Sequence, residues 1–214
     1  VLQESFSIRM VDFWLDLADS YLNLPNEALA PNAINVAVDI FQQVINIYLP
    51  KISLLNKQKI IEDGNDETLI HEFEDFRSAV TDLSQSLWSI LGNEHLTNIL
   101  ISGIGSNDAS GIVTNGTDFS SYYQIEAMCS LLNKLLVDMD LSISQWIVNI
   151  LTKNPFFIQN ILLLFKTGLT MDQQNPNNGP LKLDFIRSSS NLIGSTCGYF
   201  NRDPKELNSC IETL

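Results

Sequence analysis

Apolar side chains recur at helical spacing along almost the whole chain, and this periodicity limits the possible folds more than any other feature. No segment combines alternating apolar and polar residues with β-branched enrichment and flanking turn residues, the pattern typical of strands. In the first predicted helix, residues 5–22, the polar residues Asp12, Asp16 and Asp19 form one stripe and apolar side chains spread over the rest of the cylinder. We expect neighbouring helices to cover most of that cylinder. The sequence therefore predicts an all-α protein.

The breaks in the periodicity divide the chain into helices and polar loops. Asn32 and Asp118 precede two helical patterns as candidate N-terminal caps, and Gly92 follows a third as a candidate C-terminal cap. The pattern leaves open whether Pro155 separates two helices or kinks one. Helices are predicted at residues 32–49, 70–91, 95–101, 118–139, 142–153, 155–168 and 181–200 and from Pro204 onward, with polar loops near residues 51–69, 102–117 and 170–180.

Narrow polar stripes beside wide apolar faces favour helical hairpins that stack on one another. An irregular helical bundle would produce the same stripes, so periodicity alone does not separate the two. We predict an α-α superhelix, a HEAT-repeat solenoid, over residues 1–214. The start at Val1 leads us to expect an internal fragment of a longer solenoid. Its four hairpins are predicted at residues 5–50, 70–102, 118–168 and 181–214.

The charge balance restricts the partners of the chain. With 25 acidic and 12 basic residues the net charge is −13, so phosphate backbones and anionic lipid surfaces would be repelled. We therefore expect neither nucleic acid nor membrane as a direct partner, and we expect a basic protein. Cys129, Cys197 and Cys210 lie inside apolar helical patterns rather than in paired loop spacings, which indicates reduced intracellular thiols.

The residue types that carry catalysis do not occur in catalytic spacings. His71 and His95 are separate from any Cys or carboxylate set with metal-ligand spacing. Gly103-x-Gly105 follows a helix and lacks the Lys-Ser/Thr pair of a phosphate-binding loop, and no Gly-x-Ser-x-Gly elbow is present. We expect no cofactor, no metal and no enzyme activity. Trp14, Trp88 and Trp146 are expected to anchor the core rather than to stack nucleic-acid bases.

Four carboxylates close together in the predicted loop 51–69 are a candidate docking patch for a basic segment: Glu62, Asp63, Asp66 and Glu67. Acidic surface loops are usually only solvated, so the alternative is that these carboxylates bind no partner.

Four local patterns, in order along the chain, resemble the importin-β (karyopherin) superfamily. Asp12-Phe13-Trp14-Leu15-Asp16-Leu17 resembles its Phe-Trp helix start, found especially in the transportin-SR and importin-thirteen branch. Phe76-Arg77-Ser78-Ala79-Val80-Thr81-Asp82 resembles the Phe-Arg-x-x-Val-x-Asp helix of that branch, and Gln124-Ile125-Glu126-Ala127-Met128-Cys129-Ser130-Leu131 is similar to its Glu-Ala-x-Leu helix. The Ile186–Gly194 segment, with Tyr199-Phe200 and Pro204-x-x-Leu207, resembles the following repeat.

This resemblance implies a nuclear transport receptor that shuttles between cytoplasm and nucleus through the nuclear pore. Its superhelix would wrap protein cargo, respond to the GTP-bound Ran GTPase and bind Phe-Gly nucleoporins. The resemblance also places the second helix of a hairpin on the concave side, where Asp39, Gln42 and Asn46 become candidate partner contacts. The alternatives are a HEAT-repeat scaffold subunit of a larger assembly with no transport role and, with less support, an α-helical enzyme.

Overall fold

The computed structural model of the chain describes residues 2–25, 32–64, 66–105, 120–138, 145–154, 156–174 and 179–200. Within these ranges the secondary structure consists of nine α-helices without a strand, which confirms the all-α prediction. The helices are α1 (Leu2–Leu22), α2 (Ala33–Tyr48), α3 (Leu54–Glu62), α4 (Glu67–Leu91), α5 (Asn93–Gly105), α6 (Ser120–Asp138), α7 (Gln145–Thr152), α8 (Phe157–Gln174) and α9 (Gly179–Phe200).

The chain divides into two compact units. The first consists of residues 1–52 and 59–96, and the second of residues 53–58 and 97–214. In the first unit, α4 packs against α1 and α2. One face of α4 is apolar and buried, at Phe73, Phe76, Val80, Leu83, Leu87 and Trp88. At about 1.5–3 kcal/mol for each large side chain, this burial is what keeps a long helix ordered against its conformational entropy.

Aromatic contacts join α2 to its neighbours in the first unit. The ring centroids of Trp14 and Tyr21 lie 6.5 Å and 6.3 Å from that of Phe41, both with edge-to-face geometry. Tyr48 contacts Phe76 of α4 at 6.0 Å. Edge-to-face pairs at these distances stabilise packing beyond the area they bury. Phe41 and Tyr48 therefore connect α2 to α1 and to α4.

In the second unit, α9 packs against α8 and α6. Buried polar groups cross-link its helices. Asn160 donates to the backbone carbonyl of Ile104 at 2.6 Å, and the Ser188 hydroxyl donates to Glu126 Oε1 at 2.6 Å. Because an unpaired buried polar group costs free energy, these partners fix which helix faces meet.

The predicted loop at residues 51–69 is wrong over much of its length. Residues 54–62 form α3, and Ile52, Ser53, Leu54 and Lys57 are buried. The Lys57 ammonium lies 2.7 Å from Asp184 Oδ2 in α9, so a residue type that usually marks exposed surface is buried here with a counterion.

Two other predicted loops are helical over their described residues. Helix α5 continues to Gly105, so the loop near 102–117 begins later, and the rest of it lies outside the described residues. Helix α8 continues to Gln174 and α9 begins at Gly179, which makes most of the loop at 170–180 helical. Residues 142–168 contain two separate helices, because Asn154 closes α7 through its side-chain bond to the Ile150 carbonyl at 2.8 Å.

The predicted capping and core residues have different outcomes. Gly92 follows α4 with a φ of 87°, which confirms it as the C-terminal cap. Asn32 precedes α2, but its side chain makes no capping hydrogen bond. Trp88 is fully buried, whereas Trp14 is only half-buried. Asp118, the Trp146 side chain and the helix predicted from Pro204 lie outside the described residues.

Candidate protein-binding surface

All seven predicted contact residues lie in the first unit and fall into two groups. The α2 group consists of Asp39, Gln42 and Asn46. The corner group surrounds the end of α3 and the start of α4 and consists of Glu62, Asp63, Asp66 and Glu67. Every one of these side chains is exposed except Gln42, which is half-buried. The predicted acidic patch is therefore at the surface, where a partner could reach it.

A hydrogen-bond chain contains two members of the α2 group, Gln42 and Asn46. Gln42 Nε2 donates to Asn46 Oδ1 at 3.2 Å, one turn along the helix. Gln42 Oε1 lies 2.5 Å from His95 Nε2 at the start of α5. Because an amide oxygen only accepts, His95 Nε2 must carry the hydrogen in this contact. The three side chains therefore form one directed chain from His95 through Gln42 to Asn46.

His95 is a member of this surface that the sequence did not identify. The sequence placed His95 in no metal-ligand spacing, and its side chain is exposed. Its partner Gln42 lies 53 residues away in the chain. No local spacing could have signalled a contact between residues so far apart, since it depends on how α5 meets α2.

The corner group combines a residue that caps a helix with three other exposed carboxylates. Asp66 Oδ1 accepts hydrogen bonds from the backbone N–H groups of Thr68 at 2.9 Å and Leu69 at 3.3 Å, and so caps α4. Glu67 lies in the first turn of α4, where a negative charge is favourable to the helix dipole. An Asp just before a helical pattern is a capping signal, so the sequence contained the information for this role.

The acidic charge of the chain is concentrated in the first unit. The sequence of that unit contains 15 acidic and 4 basic residues, a net charge of −11, whereas the second unit has 10 acidic and 8 basic residues, a net charge of −2. The exposed carboxylates of the first unit come from five helices and their ends: Asp12, Asp16, Asp19, Asp39, Glu62, Asp63, Asp66, Glu67, Asp75, Asp82 and Glu94. A field of this sign attracts basic proteins and repels nucleic acid.

Further observations concern metal binding, thiols and membranes. Within the described part of the chain, no group of three or more His, Cys, Asp or Glu residues could hold a metal ion. Cys129 is fully buried, and burial, with the nearby Glu126 carboxylate, raises the pKa of its thiol well above the usual range. No described helix is both long and apolar enough to cross a membrane.

The packing of helix on helix, with no strand among the described residues, is that of an all-α protein of the HEAT-like solenoid class. The family model of the importin beta-like KAP122 middle domain matches residues 18–214, and the chain belongs to this family. No curated protein matches the chain significantly. The family match confirms the predicted importin-β superfamily, while the transportin-SR and importin-thirteen branch stays a prediction.

Proposed function

We propose that this chain is part of a nuclear transport receptor that binds basic protein cargo without covalent chemistry and has no enzyme activity. The family match over residues 18–214 is the observation that supports this proposal most. In the proposed cycle, GTP-bound Ran regulates cargo binding, and contacts with Phe-Gly nucleoporins let the receptor shuttle between cytoplasm and nucleus. The likeness to the transportin-SR and importin-thirteen branch rests on the sequence patterns alone.

The charge of the first unit supports a basic cargo. A solvent-exposed ion pair contributes only about 0–1 kcal/mol, so a useful affinity needs several carboxylates acting together. The corner group provides four within six residues, and Asp39 adds a fifth on α2. Salt screens exposed pairs, with a Debye length of about 8 Å at physiological ionic strength. Binding through this surface should therefore weaken as the salt concentration rises.

The regulatory part of the proposal is tested with Ran. The full-length protein that contains this chain is immobilised and incubated with GTP-loaded and with GDP-loaded Ran. A transport receptor retains the GTP form selectively, and an added basic cargo changes the amount retained because the two ligands are linked through one protein. Equal retention of both forms, or of neither, would favour the alternative, a HEAT-repeat scaffold with no transport role.

The corner group is tested by charge neutralisation that leaves the fold intact. The site variant combines Glu62→Gln, Asp63→Asn, Asp66→Asn and Glu67→Gln. Asn at position 66 keeps a side-chain oxygen that can cap α4. The control variant combines Asp19→Asn, Asp75→Asn, Asp82→Asn and Glu94→Gln, which removes the same charge from other exposed positions of the first unit.

Binding of a labelled basic peptide is then measured by fluorescence anisotropy at low salt. We expect the site variant to bind about tenfold more weakly, since each lost pair contributes a few tenths of a kcal/mol. The control variant should lose no more than about threefold through the weaker long-range field. Equal losses in the two variants would remove the corner group from the binding surface.

A further inference from the structure

The first two helices expose large apolar side chains that the sequence predicted to be covered. Phe13 and Leu17 of α1 and Val36, Ile40 and Ile47 of α2 are between 40% and 56% exposed. We name these five residues the apolar face. Single exposed apolar residues are ordinary in proteins, but several at helical spacing on two adjacent helices form a typical interaction surface.

Contacts between the two helices show that they run antiparallel. Tyr21, near the end of α1, contacts Phe41 in the middle of α2. Trp14, two turns earlier in α1, contacts Phe41, and its side chain also lies close to that of Tyr48 at the end of α2. Moving backward along α1 therefore corresponds to moving forward along α2.

The antiparallel arrangement places all five members of the apolar face on one side of the helix pair. On α1, Phe13 and Leu17 lie next to the stripe that contacts α2, on the flank away from the buried Val11 and Ala18. On α2, the three members lie beside Phe41, on the flank away from Gln42 and its contact with His95. Successive residues of an α-helix are about 100° apart around its axis. With this spacing, the two flanks lie on the same side of the helix pair when the helices are antiparallel.

Carboxylates border the apolar face on both outer edges. Asp16 follows Phe13 by three residues on α1, and Asp39 follows Val36 by three residues on α2, so each lies one turn from the face. Both side chains are exposed. The sequences of α1 and α2 together contain five acidic residues and a single basic one, Arg9. The surface is thus an apolar strip between two negative edges.

We propose that the apolar face binds a basic amphipathic helix supplied by a partner protein. Such a helix has an apolar stripe flanked by Lys or Arg on both sides, and it matches the strip and its edges in shape and in charge. A second copy of the chain fits less well, since two first units of net charge −11 would repel each other. A scaffold could use this face as well as a transport receptor could.

The test uses the 214-residue chain and two labelled peptides of about 18 residues, or five helical turns. The first has Leu at i, i+3, i+4 and i+7 with Lys on both flanks of the Leu stripe. The second has the same composition with the Leu periodicity destroyed. Fluorescence anisotropy should show binding of the periodic peptide at least about tenfold tighter than of the aperiodic one, since only an ordered stripe buries its Leu side chains together.

Variants assign the binding to the face. The double variant Leu17→Ser with Ile40→Ser should bind the periodic peptide about tenfold or more weakly. Because both positions are exposed, the variant should keep its fold. The matched control, Val137→Ser with Leu183→Ser, changes two exposed apolar residues of the second unit and should leave affinity unchanged. The double variant Asp16→Asn with Asp39→Asn should bind the periodic peptide about threefold more weakly at low salt and almost equally well at high salt.

Three results would overturn the proposal. Equal affinity for the two peptides would show that their net charge alone accounts for the binding. Self-association of the chain that Leu17→Ser with Ile40→Ser abolishes would assign the face to a second copy. Binding to the 214-residue chain that disappears in the full-length protein would assign it to a flanking segment of the same polypeptide. None of these three results changes what the Ran experiment shows, so the transport proposal is tested independently.

Discussion

At the scale of single residues, Lys57 is the clearest case of a side chain whose environment is fixed by a distant part of the chain. Its ammonium lies 2.7 Å from Asp184 Oδ2, and the two side chains are only 9% and 15% exposed. They are 127 residues apart in sequence. A buried charge is tolerated when its counterion is present and becomes costly when the counterion is removed.

Lys57→Met should lower the free energy of unfolding by about 3 kcal/mol, because it leaves Asp184 with no ammonium beside it. Replacing both residues, as Lys57→Met with Asp184→Leu, should restore most of the loss, since apolar pairs often substitute for buried ion pairs at little cost. Urea unfolding at fixed pH measures both, with the exposed Lys59→Met as the control. A double variant no more stable than the single one would contradict this account.

The buried thiol of Cys129 should make the free energy of unfolding decrease as the pH becomes alkaline. Burial, followed by the Glu126 carboxylate, raises the pKa of its thiol, so the folded state keeps the proton where the unfolded state has lost it. A thiol in the unfolded chain titrates near pH 8.5. The stabilisation from the protonated form is therefore complete below that pH and is lost as the pH rises above it.

When the folded state binds one proton more than the unfolded state, the unfolding free energy falls by about 1.4 kcal/mol for each pH unit. Between pH 8 and pH 10, the unfolding free energy of the parent should fall more steeply than that of Cys129→Ala, by at most about 2 kcal/mol. Chemical unfolding at several pH values measures the two slopes, and all other titrating groups are shared by the two proteins. Parallel pH profiles would show that the thiol ionises equally in both states.

At the scale of helices, the sequence predicted those whose ends and faces are determined locally. Helix α4 ends before Gly92, the predicted cap, but it begins at Glu67 after Asp66, whereas the prediction placed its start at residue 70 and Asp66 in a loop. Helix α3 was missed, because Lys57 interrupts its apolar pattern and is buried beside Asp184, a residue of α9. Local patterns cannot report a partner that a distant helix supplies.

The same distinction applies to the candidate surface. Asp39, Gln42 and Asn46 follow one another at intervals of three and four residues on α2, and a hydrogen bond joins Gln42 to Asn46. The contact with His95 depends on tertiary packing and was not predictable from spacing. The exposure of Phe13 was also missed, because a wide apolar stripe does not show which part of it a neighbour covers.

Two helix glycines provide a matched test of packing between α8 and α9. A Cβ at Gly168 would lie 3.0 Å from Ile186 Cγ1 and 3.1 Å from Phe185 Cβ, whereas a Cβ at Gly194 would meet nothing within 4 Å. Gly168→Ala should therefore destabilise the protein by about 1–3 kcal/mol through overpacking. Gly194→Ala should stabilise it by about 0.5–1 kcal/mol through helix propensity.

Thermal unfolding of the two variants measures these shifts against the parent. Equal stabilisation by both alanines would show that α8 and α9 are not in close contact at Gly168. Equal destabilisation would show that the backbone at Gly194 needs glycine for another reason.

At the scale of the whole molecule, the charge is distributed unevenly, with −11 on the first unit and −2 on the second. A purely basic ligand such as oligolysine should therefore slow amide hydrogen exchange in the first unit, because it binds there and stabilises what it binds. The second unit should show little change. Hydrogen exchange followed by mass spectrometry at low salt measures both, and equal protection of the two units would contradict the expectation.

The buried hydrogen bond between Ser188 and Glu126 determines how the run of three serines in α9 can be used. Ser188 and Ser189 are both inside the second unit, and Ser190 alone of the three is at the surface. A phosphate on Ser188 would place two further negative charges against the Glu126 carboxylate, which repels them. A kinase that approaches the folded protein therefore has one exposed acceptor in this run, Ser190. Phosphorylation of Ser188 requires α9 to separate from α6 first.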